Sequence, residues 1–268
     1  MMNLDKRSIS LREEVLNVLK CSGRGHVGSA LSLIEILSVL YDDIVKFDHK
    51  NPNWLNRDRV ILSPGHGALA LYVILADKGF FSKELLSTFL ETDSILGGCS
   101  ESTIPGVETS TGSLGHGFSV GIGMSLASRI NKIDNNIFVI LGDGELGEGS
   151  NWEAAMCAAK HKLSNITVII DNNKVQCSGK TSDLTGLSPL RLKWESFGYI
   201  VYDIDGHDKL SIKTALLNSI TNNLPTVIIC NTVMGKGVDF IEDTAEWHWK
   251  TKIDDTLVKK MFNSLKGN

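Results

Sequence analysis

The sequence predicts an α/β fold: a doubly wound, mostly parallel sheet with helices on both faces. Two observations carry that prediction. From residue 137 onward, short apolar runs alternate with segments of helical period, the pattern of β-α-β crossovers that return right-handed to a parallel sheet. The runs, Phe138 to Leu141, Thr167 to Ile170 and Thr226 to Ile229, are almost continuously apolar, as strands covered on both faces should be.

In chain order, Leu11, Val15, Leu16 and Leu19 recur at helical spacing, so a helix is expected over 10–20, ended by the glycine-rich stretch 22–29. A second apolar helix is expected over 30–41. Arg59 to Leu62 reads as a short buried strand stopped by Ser63-Pro64-Gly65, followed by a helix over 68–78 and a short serine-capped helix over 82–90. Residues 115–130 are rich in small side chains and predict a buried helix that packs closely. Strands at 137–141, 166–170, 200–204 and 226–231 then alternate with helices at 151–162, 187–197 and 209–221. Residues 235–249 show little periodicity and lead to a helix at 254–265. With no internal repeat or low-complexity linker, 1–268 reads as a single domain.

Composition narrows the function classes. At 42% hydrophobic residues a core can be buried, which argues against a disordered chain. No window approaches the ~18 apolar residues of a membrane span, and the charged N-terminus lacks the apolar stretch of a secretory signal. A net charge of −4 with scattered Lys and Arg argues against nucleic acid. The five cysteines form no C-x-x-C pair, so neither a zinc site nor a disulfide framework is expected, and the setting is read as cytoplasmic.

Ligands of such sheets bind beyond the carboxyl ends of the strands. Two strand ends carry unusual chemistry: Gly142-Asp143-Gly144-Glu145-Leu146-Gly147-Glu148-Gly149 and Asp171-Asn172-Asn173-Lys174-Val175. Gly142, Gly144 and Gly147 satisfy the dinucleotide pattern G-x-G-x-x-G, and Asp171 lies at the next strand end. However, Asp143, Glu145 and Glu148 would repel an approaching pyrophosphate. A divalent cation resolves the conflict. Magnesium takes oxygen ligands between carboxylates and substrate phosphates, and Asp143, the Asn173 side-chain carbonyl and the Val175 backbone carbonyl can supply them. This pair of strand ends resembles the thiamine diphosphate-binding motif.

The resemblance extends along nearly the whole chain. Ser22 to Ser29 (SGRGHVGS), Ser63 to Gly67 (SPGHG), Pro105 to Glu108 (PGVE), Thr111 to Gly117 (TGSLGHG), Glu148 to Ala154 (EGSNWEA), Asp205 to His207 (DGH), Gly235 to Val238 (GKGV) and Glu246 to His248 (EWH) follow in family order. Together they resemble the N-terminal, diphosphate-binding subunit of a split transketolase. That resemblance implies a thiamine diphosphate and magnesium site in which Asp143, Asn173 and the Val175 carbonyl hold the metal. His66 and His248 would contact the diphosphate, with Gly142 and Gly144 against it. Gly112 and Leu114 would support the aminopyrimidine through backbone atoms, and His26 would face the ketose donor. His26, His66 and His248 are thus the catalytic candidates, while His161 and His207 are left as loop hydrogen-bonders. Glu148 would lie near a subunit junction.

Two departures stand out. Cys99 occupies the place of a histidine that binds donor hydroxyls in the family, and Trp249 follows His248 where the family commonly has glycine. Thiol is a weak hydrogen-bonder where imidazole is a good one, which points to substrate specificity at Cys99. The function implied is transfer of a two-carbon ketol unit from a ketose to an aldose. The alternatives are a thiamine-dependent enzyme of a specialised pathway acting on an unusual ketose or 2-oxo acid, and a non-catalytic cofactor-binding partner. The alpha chain of a 2-oxo-acid dehydrogenase is a rival that the Glu148-to-Ala154 segment and the early Gly25-His26-Val27-Gly28 turn disfavour. Deoxyxylulose phosphate synthase is a further relative, normally one long chain. The pyrimidine-type domain is missing from 1–268, so the resemblance also implies a heterotetramer of two plus two, completed by separate C-terminal subunits.

Overall fold

The computed structural model describes residues 4–267. In chain order the elements are α1 (Lys6–Ser22), α2 (Val27–Ser32), α3 (Ile34–Val39), β1 (Arg59–Leu62), α4 (Ala68–Asp77), α5 (Gly117–Asn131), β2 (Ile137–Gly142), α6 (Gly149–His161) and β3 (Ile166–Asn172). They continue with β4 (Val175–Gln176), β5 (Gly179–Lys180), α7 (Thr181–Leu184), α8 (Leu190–Ser196), β6 (Ile200–Asp205), α9 (Lys209–Ser219), β7 (Thr226–Asn231) and α10 (Asp255–Lys266). β1, β2, β3, β7 and β6 form, in that order, a sheet in which every pairing is parallel.

Alternation along the central strands builds a core on each face. Phe138, Ile140, Ile169 and Ile228 point into a cluster made with α1 to α4, α9 and α10. Val139, Leu141, Val168, Ile170, Val227 and Ile229 point into a second cluster with α5, α6 and α8. A side-chain period of two assigns neighbours to opposite faces, and because both faces are covered the strands carry no polar alternation. The edge strand β6 is the exception, with exposed Asp203 and Asp205.

Several elements differ from the sequence expectation. The expected helix 30–41 starts earlier, at Val27, and is two helices joined at Leu33, followed by a π-turn over Leu40–Ile44. Segment 83–88 is a 3-10 helix whose Ser82 bonds Glu84 and not a backbone amide. Helix α8 starts at Leu190 instead of 187, because Pro189 at its N-cap is extended. Helix α5 is buried on one face only: Gly117, Phe118, Gly121, Ile122 and Ser125 face inward, while Val120 and Ile130 are exposed. The β4–β5 hairpin and α7 have no counterpart in the sequence pattern, since two-residue strands leave no periodicity to read. The reading of the N-terminus as free of a signal falls partly on Met1 to Asn3, outside the described residues. No helix among the described residues is long and apolar enough to cross a membrane.

One buried ion network joins the N-terminal helices to the loops after β6 and β7. Arg12, fully buried, donates to both Glu35 oxygens at 2.6 and 2.9 Å and to the Lys236 carbonyl at 2.8 Å. The Val233 amide donates to His207 Nε2 at 2.9 Å, so the ring proton sits on Nδ1, which meets Glu35 Oε2 at 2.8 Å. His207 is therefore a hydrogen-bonder within the scaffold. Burial alone would raise the Glu35 pKa, but Arg12 holds it well below the usual carboxylate range. Removing one partner of such a pair leaves an uncompensated buried charge. Arg12→Ala is therefore expected to cost about 3–5 kcal/mol of stability, read as a lowered guanidinium midpoint at unchanged slope.

Candidate active site

The carboxyl ends of β1, β2 and β3 lie side by side and turn into Ser63-Pro64-Gly65-His66, Asp143-Gly144-Glu145 and Asn173-Lys174-Val175. These segments, with Leu114 and His248, wall a cleft of about 120 Å³. Its floor is carboxylate-rich. Asp143 is buried, its Oδ2 accepting the Lys174 amide at 2.9 Å and the Thr181 hydroxyl at 2.8 Å. No Lys, Arg or His among the described residues pairs with it. Burial, reinforced by the neighbouring Asp171 carboxylate, pushes its pKa up to about 7.

A buried carboxylate without a cation is the chemistry a divalent metal completes. The Asn173 amide is held in one orientation: Nδ2 donates to Asp171 Oδ2 at 3.0 Å and Oδ1 accepts the Val175 amide at 3.0 Å. Oδ1 keeps a second lone pair, and Val175 lines the same cleft. Asp171 is itself fixed by Ser32 Oγ at 2.7 Å and by the Thr232 hydroxyl. Among the described residues no group of three His, Cys, Asp or Glu could hold a metal, so the donor set would have to be mixed. One carboxylate, one amide oxygen and one carbonyl fit magnesium, which tolerates few protein ligands and fills its shell with phosphate and water.

In the sequence Glu145 reads as a charge facing an incoming pyrophosphate. In the structure it is tied into the scaffold. Oε1 takes the Ser63 hydroxyl and the Gly115 amide (2.8 Å), and Oε2 takes the Gly142 amide at 3.3 Å. One buried side chain thereby joins the turn before His66, the loop carrying Leu114 and the turn carrying Asp143. Its pKa is raised by burial, which the Ser63 bond counters in part. The local sequence carries no signal of this, since the donors Ser63 and Gly115 come from distant segments. Glu148, by contrast, is exposed at the N-cap of α6.

His26, His66 and His248, far apart in the chain, come together. Ring centroids are 5.2 Å apart for His26 and His66, 5.6 Å for His26 and His248, and 4.9 Å for His66 and His248. Burial, with the other two rings adding, lowers the His26 pKa to about 3; burial and His248 lower that of His66 to about 4. Burial lowers that of His248 too. All three are therefore neutral near pH 7 and able to accept a proton or a hydrogen bond.

Most of the predicted site residues share this cleft: His66, Leu114, Gly142, Asp143, Gly144, Asn173, Val175 and His248. His26 joins through its ring contacts. Gly112 does not line the cleft but packs beside Gly65, in the turn before His66. Its φ of +129° suits only glycine, a Cβ there would lie 2.9 Å from Cys99 Sγ, and a Cβ on Gly65 would lie 2.6 Å from the Thr111 carbonyl carbon. Cys99 thus packs on Gly112 and is not among the residues lining the cleft. A larger cavity of about 600 Å³ shares Asp143 and Val175 with the cleft and is lined also by Lys174, but contains none of the histidines, so the chemistry is placed in the smaller one.

The family described as "Transketolase, thiamine diphosphate binding domain" matches residues 5–263. The chain is 42% identical over 257 residues to an apulose-4-phosphate transketolase subunit of Actinobacillus succinogenes, covering 95% of this chain and 93% of that one. It is 40% identical over 249 residues to a 6-deoxy-6-sulfo-D-fructose transketolase subunit of Clostridium sp., covering 92% and 90%. Among solved structures, the transketolase of Campylobacter jejuni superposes with a TM-score of 0.90 at 31% identity, over 99% of this chain but 43% of that one. The chain therefore spans less than half the length of that enzyme.

Two outcomes follow from the geometry. The folded metal-free chain holds a proton on Asp143 up to about pH 7, whereas the unfolded chain releases it near 3.8. Stability is therefore lost as pH rises between those values. Metal-free Asp143→Asn should melt several degrees above the wild type at pH 8, with the gap shrinking toward pH 4, in thermal denaturation at both pH values. Glu145→Ala should strand the Gly115 and Gly142 amides and cost about 1–3 kcal/mol by denaturant titration. Glu145→Gln, which keeps both acceptor contacts through one oxygen at most, should fall between.

Proposed function

The chain belongs to the transketolase family, as an N-terminal, thiamine diphosphate-binding subunit of a split transketolase-like enzyme, and from that premise we propose how its residues divide the work. The reaction is transfer of a two-carbon ketol unit from a ketose donor to an aldose acceptor. The observation that supports this reading best is one juxtaposition: two of the three clustered histidines line the same cleft as Asp143, Asn173 and Val175.

When bound, thiamine diphosphate supplies the carbon nucleophile and the electron sink for breaking and making the C–C bond. Asp143, Asn173 Oδ1 and the Val175 carbonyl would hold magnesium, and the metal would relieve the cost of keeping Asp143 ionised. His66 and His248 donate to the diphosphate, beside Gly142 and Gly144. Gly112 and Leu114 present backbone atoms to the aminopyrimidine, on a loop that Glu145 pins at Gly115. His26, at the far side of His66 and His248, exchanges hydrogen bonds and a proton with the donor hydroxyls. Its neutral ring suits it as an acceptor.

A cleft of about 120 Å³ is smaller than the ~300–1,000 Å³ of sites that enclose a whole cofactor. That supports a second wall supplied by a separate C-terminal subunit carrying the pyrimidine-type domain, in a heterotetramer of two plus two. The exposed face of α5, where Gly123 meets open space beside Val120 and Ile130, is the contact surface we assign to that subunit, with Glu148 near the junction. The free cysteines are compatible with a cytoplasmic setting. The relatives' names, apulose-4-phosphate and 6-deoxy-6-sulfo-D-fructose transketolase subunits, favour a donor outside the ordinary ketose phosphates.

The purified chain should show no ketol transfer alone at any concentration and full transfer when mixed with its C-terminal partner; turnover by the isolated chain would overturn the split-enzyme reading. In calorimetry, Asp143→Ala should abolish magnesium-dependent thiamine diphosphate binding. Asn173→Ala should weaken it less, because water can replace a neutral amide oxygen but not a carboxylate charge.

A further inference from the structure

Trp249 sits against the histidine cluster, in ring contact with His26. Its ring centroid lies 4.3 Å from that of His26, with the planes tilted by 56°, the closest ring pair in the cluster. The indole has no other ring partner among the described residues, and its N–H makes no hydrogen bond there. At 38% exposure it contributes little to the core. The ring is held at the cluster through His26, so its bulk sets the space left beside that imidazole.

The position of the ring is fixed by the backbone on both sides of the contact. The Gly25 amide donates to the Lys250 carbonyl at 2.9 Å, and the Lys250 amide donates back to the Gly25 carbonyl at 3.0 Å, an antiparallel bridge between the segments carrying His26 and Trp249. Lys250 is held in turn over the Trp247 ring, 4.4 Å from its centroid, and pairs with Glu246. Because bridge and cation–π contact both belong to neighbouring residues, the Trp249 side chain can change without loosening the segment that holds it. His26 is neutral, so the two rings form an uncharged wall and not a cation–π pair.

We propose that Trp249 is a specificity-determining residue, a bulk filter that takes up the space beside His26 and restricts the site to slim ketose donors. The inference rests on His26 facing the donor, as argued for the proposed function. The ring cannot yield to a larger substituent without breaking the contact with His26, and a single methylene in an apolar pocket is worth about 10–200-fold in discrimination between substrates. Cys99 is a separate feature, since its thiol packs on Gly112 and does not line the cleft.

The test uses the full chain reconstituted with its C-terminal subunit, thiamine diphosphate and magnesium, with hydroxypyruvate as a short donor and fructose 6-phosphate as a long one. The readout is the ratio of kcat/KM for long over short donor. Trp249→Gly should raise that ratio at least tenfold, and Trp249→Leu should fall between. A ratio within about twofold of wild type in both variants overturns the proposal. So does equal loss of turnover on both donors in both variants, which would make the ring a purely structural support for His26. If the wild-type complex turns over neither donor nor any other ketose, the ketol-transfer reading fails first and the bulk filter falls with it.

Discussion

Asp143, Glu145 and Asp171 are buried together at the carboxyl ends of β2 and β3, and no basic side chain among the described residues pairs with any of them. Burying a carboxylate this way is costly unless fixed donors replace the lost water. Every donor here is neutral: hydroxyls of Ser32, Ser63, Thr181 and Thr232, and amides of Gly115, Gly142, Lys174 and Asn173. Those donors come from segments spread along the chain, so the three acids can be accommodated only when the loops around the cleft are all in place. The three acids therefore cost the scaffold stability whenever they ionise, and the arrangement of the surrounding loops limits that cost.

Much of this was legible in the sequence. Strands buried on both faces leave uninterrupted apolar runs, so β1 and β7 have the limits expected and β2, β3 and β6 are only one or two residues longer. The glycine-flanked polar turns at their ends mark the site, because the parallel sheet places consecutive strand ends side by side. What could not be read depends on contacts distant in sequence. Glu145 has the look of surface charge because its donors, Ser63 and Gly115, come from other segments. The split between α2 and α3 at Leu33 leaves no mark, since both halves are fully buried and mostly apolar. Small residues in α5 suggest burial all round, yet Gly121 packs on Val139 while Gly123 faces open space, and only the structure separates the two.

The histidines and the acids form two environments within one cleft. Burial without compensation keeps the imidazoles uncharged and raises Asp143, so the same desolvation lowers the charge of both groups. A diphosphate with its metal would bring both signs at once, the cation to the acids and the anionic oxygens to ring N–H groups. The chain is prepared for such a neutral package and poorly prepared for either ion alone. The dinucleotide-like glycine pattern around Gly142 carries Asp143 buried without a basic partner, a poor setting for a bare pyrophosphate.

The bridge between Gly25 and Lys250 has a further consequence, for the order of assembly. It joins the segment after α1 to the segment before α10, with the whole sheet lying between them in the chain. α1 and α10 also pack on each other. Contacts of such long sequence separation pay their loop-closure entropy last, once nearer pairings have already formed. The sheet with its strand-end acids can therefore form on the ribosome ahead of the histidine cluster, whose last member, His248, emerges after β7. A chain at that stage would own the strand-end acids together with His26 and His66, and would lack only the His248 ring that completes the cluster. The histidine cluster closes only when the final segment folds back onto the first.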